Sequence, residues 1–391
     1  MMAEWMKVEL GEVCELLDCL HMTPKYSKTG YPMVRVTDVK DGYLDTTNCL
    51  RVNKDVFRAF SKGYTPKIGD IVFTRVGTYG LSGLVREPTY FCLGQNTSLI
   101  LSIGINPFFL FYYLISEDAK FQIGGLAGGS TQPTISMANM RKIEIPFPAQ
   151  QMQIQIAEVL SSLDDKIDLL HRQNQTLEAM AETLFRQWFV EEAEEGWEEL
   201  RLIDAIKLVG GGTPKTSIPE YWVGNIKWLS GGDISNNHRS FIIDTEKKIS
   251  EAGLNDSSAK FIPKHSTVIS ARGTVGKYCL LSEPMTFSQS NYGILPIVGE
   301  CYFFTYLLIG HSISELKAAA YGSVFDTITT DTFREHRIQL PKEPTIKEFE
   351  SLIKPLFDKM LANSFQVVTL RTLRDLVLPK LMNGEVRVKM D

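Results

Sequence analysis

The chain has 391 residues, 44% of them hydrophobic and 22% charged, with a formal net charge of −5. This excludes a disordered or strongly basic chain and leaves room for two or three domains with sizeable cores. Met1 to Leu10 carries charges in place of an apolar leader core, and no run approaches the roughly 18 apolar residues of a membrane span, so a cytoplasmic protein is expected.

In chain order, β-rich runs at Pro32 to Val39, Asp70 to Thr74 and Leu99 to Ile103, separated by turn signals, predict a mixed, mostly β first head. Asn106-Pro107 reads as an N-cap with proline at the first helical position, so Phe108 to Ile115 is a short helix. A long helical pattern follows from Gln153 to Phe189. Its apolar or interface-type residues are Ile156, Leu160, Leu163, Ile167, Leu170, Asn174, Leu177, Ala181, Leu184 and Trp188, and their alternating spacing of 4 and 3 is that of a coiled-coil seam.

The pattern then recurs. Runs at Lys227 to Leu229, Thr267 to Ser270 and Ile294 to Val298 predict a second head, and a second long helix spans Ile346 to Met382, opened by a capping box at Thr345-Ile346-Lys347-Glu348. Its seam, Phe349, Ile353, Leu356, Met360, Asn363, Val367, Leu370, Arg374, Val377 and Leu381, lies 193 residues beyond the first. Pro355 should kink this helix, and Pro379 with Asn383-Gly384 should end it. Outside the helices, Gly77-Thr78-Tyr79-Gly80 matches Gly273-Thr274-Val275-Gly276, and Trp5 matches Trp197. A repeat this long is a duplicated domain plus helix, since solenoid units run to only about 20 to 50 residues.

The expected fold class is therefore α+β: two repeated mixed, mostly β domains joined and spaced by two long antiparallel coiled-coil helices with pseudo-twofold symmetry. The boundaries are 1–148 and 197–342 for the heads, 149–196 and 343–391 for the helices with the closing tail. Antiparallel pairing follows because each helix must lead back toward the start of a head. Asn174 and Asn363 on the seam either fix register or are tolerated polar residues.

Two heads at a fixed stride suit nucleic acid with two half-sites. Charge complicates that reading. The heads carry 15 basic against 14 acidic and 15 against 15 residues, and the first helix 3 against 10, so this chain alone should bind the DNA backbone weakly unless a partner adds positive surface.

Catalytic and cofactor patterns fail on inspection. Asn106-Pro107-Phe108-Phe109 lacks the second proline of the amino-methyltransferase motif, and no Gly-rich cofactor loop precedes it. Gly210-Gly211-Gly212-Thr213-Pro214-Lys215-Thr216 has proline where a phosphate loop needs a backbone N–H. Asp233 with Glu246-Lys247-Lys248 resembles a metal-nuclease set but has no counterpart in the first head. The six cysteines and six histidines form no metal-ligand spacing. No catalytic residue, cofactor or metal site is expected. The alternatives are a two-headed protein scaffold without DNA binding, or a stand-alone nuclease or methyltransferase, which would need the motifs just rejected.

The strings Ile145-Pro146-Phe147-Pro148, Gln153-Ile154-Gln155-Ile156-Ala157, Leu163-Asp164-Asp165-Lys166-Ile167, Asn174-Gln175-Thr176-Leu177-Glu178 and Leu184-Phe185-Arg186-Gln187-Trp188-Phe189 resemble the central region of type I restriction-modification specificity subunits. So do Gly211-Gly212-Thr213-Pro214-Lys215, Pro219-Glu220-Tyr221-Trp222 and the closing Leu378-Pro379-Lys380-Leu381-Met382-Asn383-Gly384-Glu385. The chain departs from that pattern at Met152 and in the second helix at Pro355 and Arg374. The resemblance implies two target-recognition domains, each reading one half of a bipartite, asymmetric DNA sequence, with the helices setting the gap. It also implies a non-catalytic role beside two modification (methyltransferase) subunits, which bring S-adenosylmethionine, and restriction subunits, which bring translocation and cleavage.

Base edges are read by Arg or Lys at guanine and Asn or Gln at adenine, from loops that enter a groove. The candidates in the first head are Arg35, Thr37, Arg75, Thr78, Tyr79, Gln95, Asn96, Ser130, Thr131 and Gln132. In the second they are Lys215, Tyr221, Ser230, Arg272, Thr274, Gln289, Asn291 and Ser323. The glycines repeated in both heads are expected to shape a common turn, because heads with different targets should differ where they read bases.

Overall fold

A computed structural model describes residues 5–40, 42–129, 132–194, 196–321 and 327–388. The chain forms two compact units, Met1–Asp165 with Leu370–Asp391, and Lys166–Thr369. Each repeats one order of elements.

In the first unit, strand Met6–Glu9 pairs antiparallel with Glu144–Phe147, and a one-turn helix, Leu10–Val13, leads into strand Cys14–Asp18. That strand edges a four-stranded sheet in the order Cys14–Asp18, Thr97–Ser102, Ile71–Thr74, Ser82–Leu84. Alternation decides the layers. Ile71 and Phe73 point into the core shared with the helices, whereas Val72 points into a second core beneath a smaller sheet that includes Tyr31–Val34 and Arg51–Val52. The second unit repeats this, with Ile206–Gly210, Asn291–Pro296, Thr267–Ser270 and Tyr278–Leu281 in the same order. Ile269 faces the helix-side core and Val268 the other.

The expected short helix is Pro107–Leu114, capped by Asn106, whose side chain accepts from the N–H groups of Phe108 and Phe109. A further helix, Glu117–Leu126, follows after a break at which Ser116 caps it. The second unit has one continuous helix, Tyr302–Tyr321, in the corresponding place, and neither feature was expected from sequence.

The first long helix is Gln150–Arg186, and the second runs unbroken from Glu343 to Met382. The second therefore starts before the expected capping box, with Pro344 in its first turn. Pro379, read as a stop, lies inside the helix, as does Pro355. Both prolines are exposed, so the carbonyl each leaves without a backbone donor, at Ser351 and Asp375, belongs to an exposed residue where water can satisfy it.

Within the second unit the helices run antiparallel: Asn174 meets Met360 and Ser364, whereas Phe185 and Phe189 meet Phe349. Ile167, Leu170, Phe349, Ile353, Met360, Asn363 and Val367 are buried, and Asn174, Leu177, Leu184 and Leu356 half-buried. Within the first unit, Ile156 and Leu160 are buried in a core with Leu378 and Leu381, and Leu163 and Leu370 are half-buried. The buried arc is wider than the seam. Ala157, Phe185, Phe189, Phe357 and Leu361 are buried too, because the helices pack against head elements as well as against each other.

The two seam asparagines bond to each other: Asn363 Nδ2 donates to Asn174 Oδ1 at 2.9 Å, and Asn174 Nδ2 donates to Met360 O at 3.2 Å. Asn174→Leu leaves the buried Asn363 amide only its longer bond to Gln173 Oε1, at 3.3 Å, and is expected to destabilise the unit by about 1–3 kcal/mol. Adding Asn363→Leu should recover most of the loss in urea unfolding; a double variant no more stable than the single would contradict this pairing.

Candidate nucleic-acid interface

The strands Cys14–Asp18 and Ile71–Thr74 end where Thr97–Ser102 begins, so their loops meet at one end of the first head's larger sheet. Backbone bonds lock them together: Arg75 N–H donates to Asn96 O at 2.8 Å, Gly94 N–H to Val34 O at 2.7 Å and Ile135 N–H to Arg75 O at 3.0 Å. The second head uses the same bonds. Ala271 N–H donates to Ser290 O at 3.0 Å, Ser288 N–H to Leu229 O at 2.9 Å and Ile328 N–H to Ala271 O at 3.1 Å. Corresponding loops are thereby identified by hydrogen bonding as well as by spacing.

The repeated glycines shape a turn. Gly77 and Gly273 have φ of +74° and +76°, Gly80 and Gly276 +84° and +78°, values that disfavour any side chain. The N–H groups of Gly80 and Gly276 close the turns on Thr74 O and Ser270 O.

On this frame the candidates divide. Thr37, Thr78, Gln95 and Gln132 are exposed in the first head, and Lys215, Arg272 and Gln289 in the second. Arg35 is half-buried and forks onto Asp38 through Nε at 3.1 Å and Nη2 at 3.2 Å, a bond that raises its pKa. Asn96 occupies the left-handed region at φ +67°, and Tyr79 packs against the helix-side core. Ser230 caps a short helix by accepting from Asp233 N–H, Thr274 bonds Ser270 at 2.9 Å, and Tyr221 donates to Asp256 at 2.8 Å. Ser130, Thr131 and Ser323 lie outside the described residues.

Two candidates are not placed as expected. The Arg75 side chain is only 11% exposed, ion-paired to Asp18 and donating to Ile135 O at 3.3 Å. Asn291 is 1% exposed and donates to Ser288 Oγ at 2.8 Å, beyond reach of a base edge. Each side chain is engaged within its own head, Arg75 by Asp18 and Asn291 by Ser288.

Sequence reading missed Asp18 and His21. His21 is exposed and Nε2 lies 3.1 Å from Asp18 Oδ2. Burial opposes ionisation of Asp18, but the bonds from His21 and Arg75 prevail and lower its pKa. The second head has Gly210 and Thr213 at these places, and Thr213 donates to Gln289 instead. Ligand atoms of Asp18, Cys19 and His21 lie within 4.8 Å of one another. The Arg75 guanidinium already supplies positive charge to Asp18, which disfavours a cation there.

Residues 2–179 and 194–362 match the family model described as the type I restriction modification DNA specificity domain. The chain is 26% identical over 342 residues to the type I restriction enzyme MjaIX specificity subunit of Methanocaldococcus jannaschii, covering 82% of this chain and 78% of that protein. It is 24% identical to the HindI specificity subunit of Haemophilus influenzae, covering 98% of this chain and 100% of that protein. In fold it resembles the crystal structure of the type I restriction-modification S subunit from M. genitalium, with a TM-score of 0.57 at 16% identity over 99% of this chain and 97% of that one. Among the described residues, no helix is long and apolar enough to cross a membrane.

Proposed function

Because the chain belongs to the type I restriction-modification DNA specificity family, we propose that it selects the DNA sequence for a modification and restriction complex. Residues 1–148 and 197–342 are the two target-recognition domains, each reading one half of a bipartite, asymmetric target. The helical regions 149–196 and 343–391 set the unspecified gap and receive two methyltransferase subunits, with restriction subunits joining that assembly. The chain itself carries no catalysis. Its near-neutral heads leave much of the phosphate contact to those partners.

One observation carries this reading: the loops share a backbone scaffold but differ in the side chains they present. By hydrogen-bond position, Arg35 corresponds to Ser230 and Val76 to Arg272. A common frame with divergent tips suits two different half-sites. Co-expression with the modification subunits, followed by methylation-sensitive sequencing, should reveal adenine methylation in a two-part motif; a chain that assembles with them but directs no motif is a scaffold.

Arg272 is the sharpest contact in the second head. Arg272→Ala should weaken DNA binding by the complex about 5- to 100-fold, the range for a lost guanidinium contact. Arg75→Ala should instead lower the melting temperature, since it leaves Asp18 with His21 alone and removes the bond to Ile135 O. Wild-type affinity for the Arg272 variant across several salt concentrations would clear that residue.

A further inference from the structure

The acids of the first long helix serve the heads. In the first unit, Asp164 accepts from Tyr112 Oη at 2.7 Å and from Arg86 Nη2 at 3.1 Å, while Arg86 Nη1 reaches Asp165 at 2.8 Å. In the second, Glu178 accepts from Tyr306 Oη at 2.6 Å and from Arg239 Nε at 3.2 Å, while Arg239 Nη2 reaches Glu182 at 2.6 Å. Both share one pattern: a buried tyrosine on the head's helix and an arginine beside its sheet converge on an acid of the helix, and the arginine also takes a second acid. Asp164 in addition accepts from Arg374 Nη1 of the second long helix at 2.8 Å.

The repeat explains only part of this. Tyr112 and Tyr306 correspond, at the spacing of 194 that pairs Thr97 with Asn291 just upstream, but the acids they meet do not. The residue matching Asp164 in the second long helix is Phe357, which is buried in the second unit's core. Equivalent tyrosines thus meet acids at non-equivalent positions, and both acid pairs belong to one continuous helix, Gln150–Arg186. A buried ionic network is a poor source of stability compared with apolar packing, but it is directional and tolerates only one geometry. Burial works against the charge on Glu178 and raises its pKa, so the site carries a cost that apolar packing would avoid.

We propose that these two clamps are positioning devices that fix the angle at which each recognition domain is held on the first long helix, and so make the complex intolerant of a changed gap between half-sites. This rests on the DNA-specificity reading above. Tyr112, Arg86, Tyr306 and Arg239 are positioning residues and need not touch DNA.

The test uses the chain assembled with its modification subunits and duplexes carrying the methylated motif with the native gap or a gap one base pair shorter or longer. Tyr112→Phe and Tyr306→Phe remove a hydroxyl without removing the ring, and Arg86→Lys and Arg239→Lys keep the charge but lose the fork. For each variant that melts as a folded complex, the wild-type preference for the native gap should fall at least about fivefold, a shift of roughly 1 kcal/mol, with both half-site sequences still required. Binding that is unchanged, or that falls equally at every gap length, overturns the inference. A wild-type complex with no gap preference would instead overturn the specificity reading on which it rests.

Discussion

Phe349→Ala is expected to destabilise the second unit by about 3–5 kcal/mol, the range for truncating a fully buried aromatic residue. Phe349 is 0% exposed and lies at the centre of an aromatic cluster. Its ring centroid is 4.8 Å from that of Phe189 at 89°, 5.5 Å from Trp188 and 6.0 Å from Phe185 at 74°. The Phe189 contact is edge-to-face, so the substitution loses quadrupole attraction in addition to buried area. Phe365→Ala on the same helix, 46% exposed, should cost within about 0.5 kcal/mol of nothing. Tryptophan fluorescence during urea unfolding reports the change directly because Trp188 is in the cluster. Equal losses for the two variants would contradict the assignment of Phe349 to the helix-pairing core.

Glu350→Gln is expected to shift stability in favour of the variant as pH rises from 4 to 8. Glu350, on the second long helix, accepts from the N–H groups of Phe303 and Phe304 at 3.2 and 2.7 Å, which ties down the start of Tyr302–Tyr321. Burial pushes its pKa up from 4.5 to about 7, against those two bonds and the charge of Lys354, with Asp358 adding to the rise. Between those values the folded state holds a proton that the unfolded state has released. Stability from this group is therefore complete below the ordinary pKa and is lost as pH rises through 7. Glutamine keeps one acceptor oxygen but turns an amide NH2 toward the other backbone N–H, which costs a bond at every pH. The stability of the variant relative to the wild type should therefore rise by on the order of 3 kcal/mol between pH 4 and pH 8. A difference that did not vary with pH, or one that fell as pH rose, would contradict it.

What was legible in the sequence was local or periodic. Asn106-Pro107 announces a helix start because cap chemistry involves residues two or three apart, and the long helices declare themselves through spacing alone. The Gly-Gly-Thr-Pro-Lys string was legible only as a resemblance. Its physical cause needs distant residues: a Cβ on Gly212 would lie 2.2 Å from the backbone nitrogen of Ala259. Arg75 looked free because its partner Asp18 lies in another strand, and Asn291 looked exposed because its burial depends on the sheet. Pro379 looked like a stop because the exposure of its helix face is a tertiary property. The clamps escaped for the same reason, since nothing in the acidity of the first helix reveals that Asp164 and Glu178 meet tyrosines of the heads.

The central claim is that each head independently reads one half of the target. Replacing residues 197–342 by the corresponding head of a relative with a different target, and sequencing the methylation directed by the assembled complex, tests it most directly. One half of the methylated motif should change to that of the donor while the other half and the gap stay as they were. A motif that changes in both halves, or in neither, would contradict it.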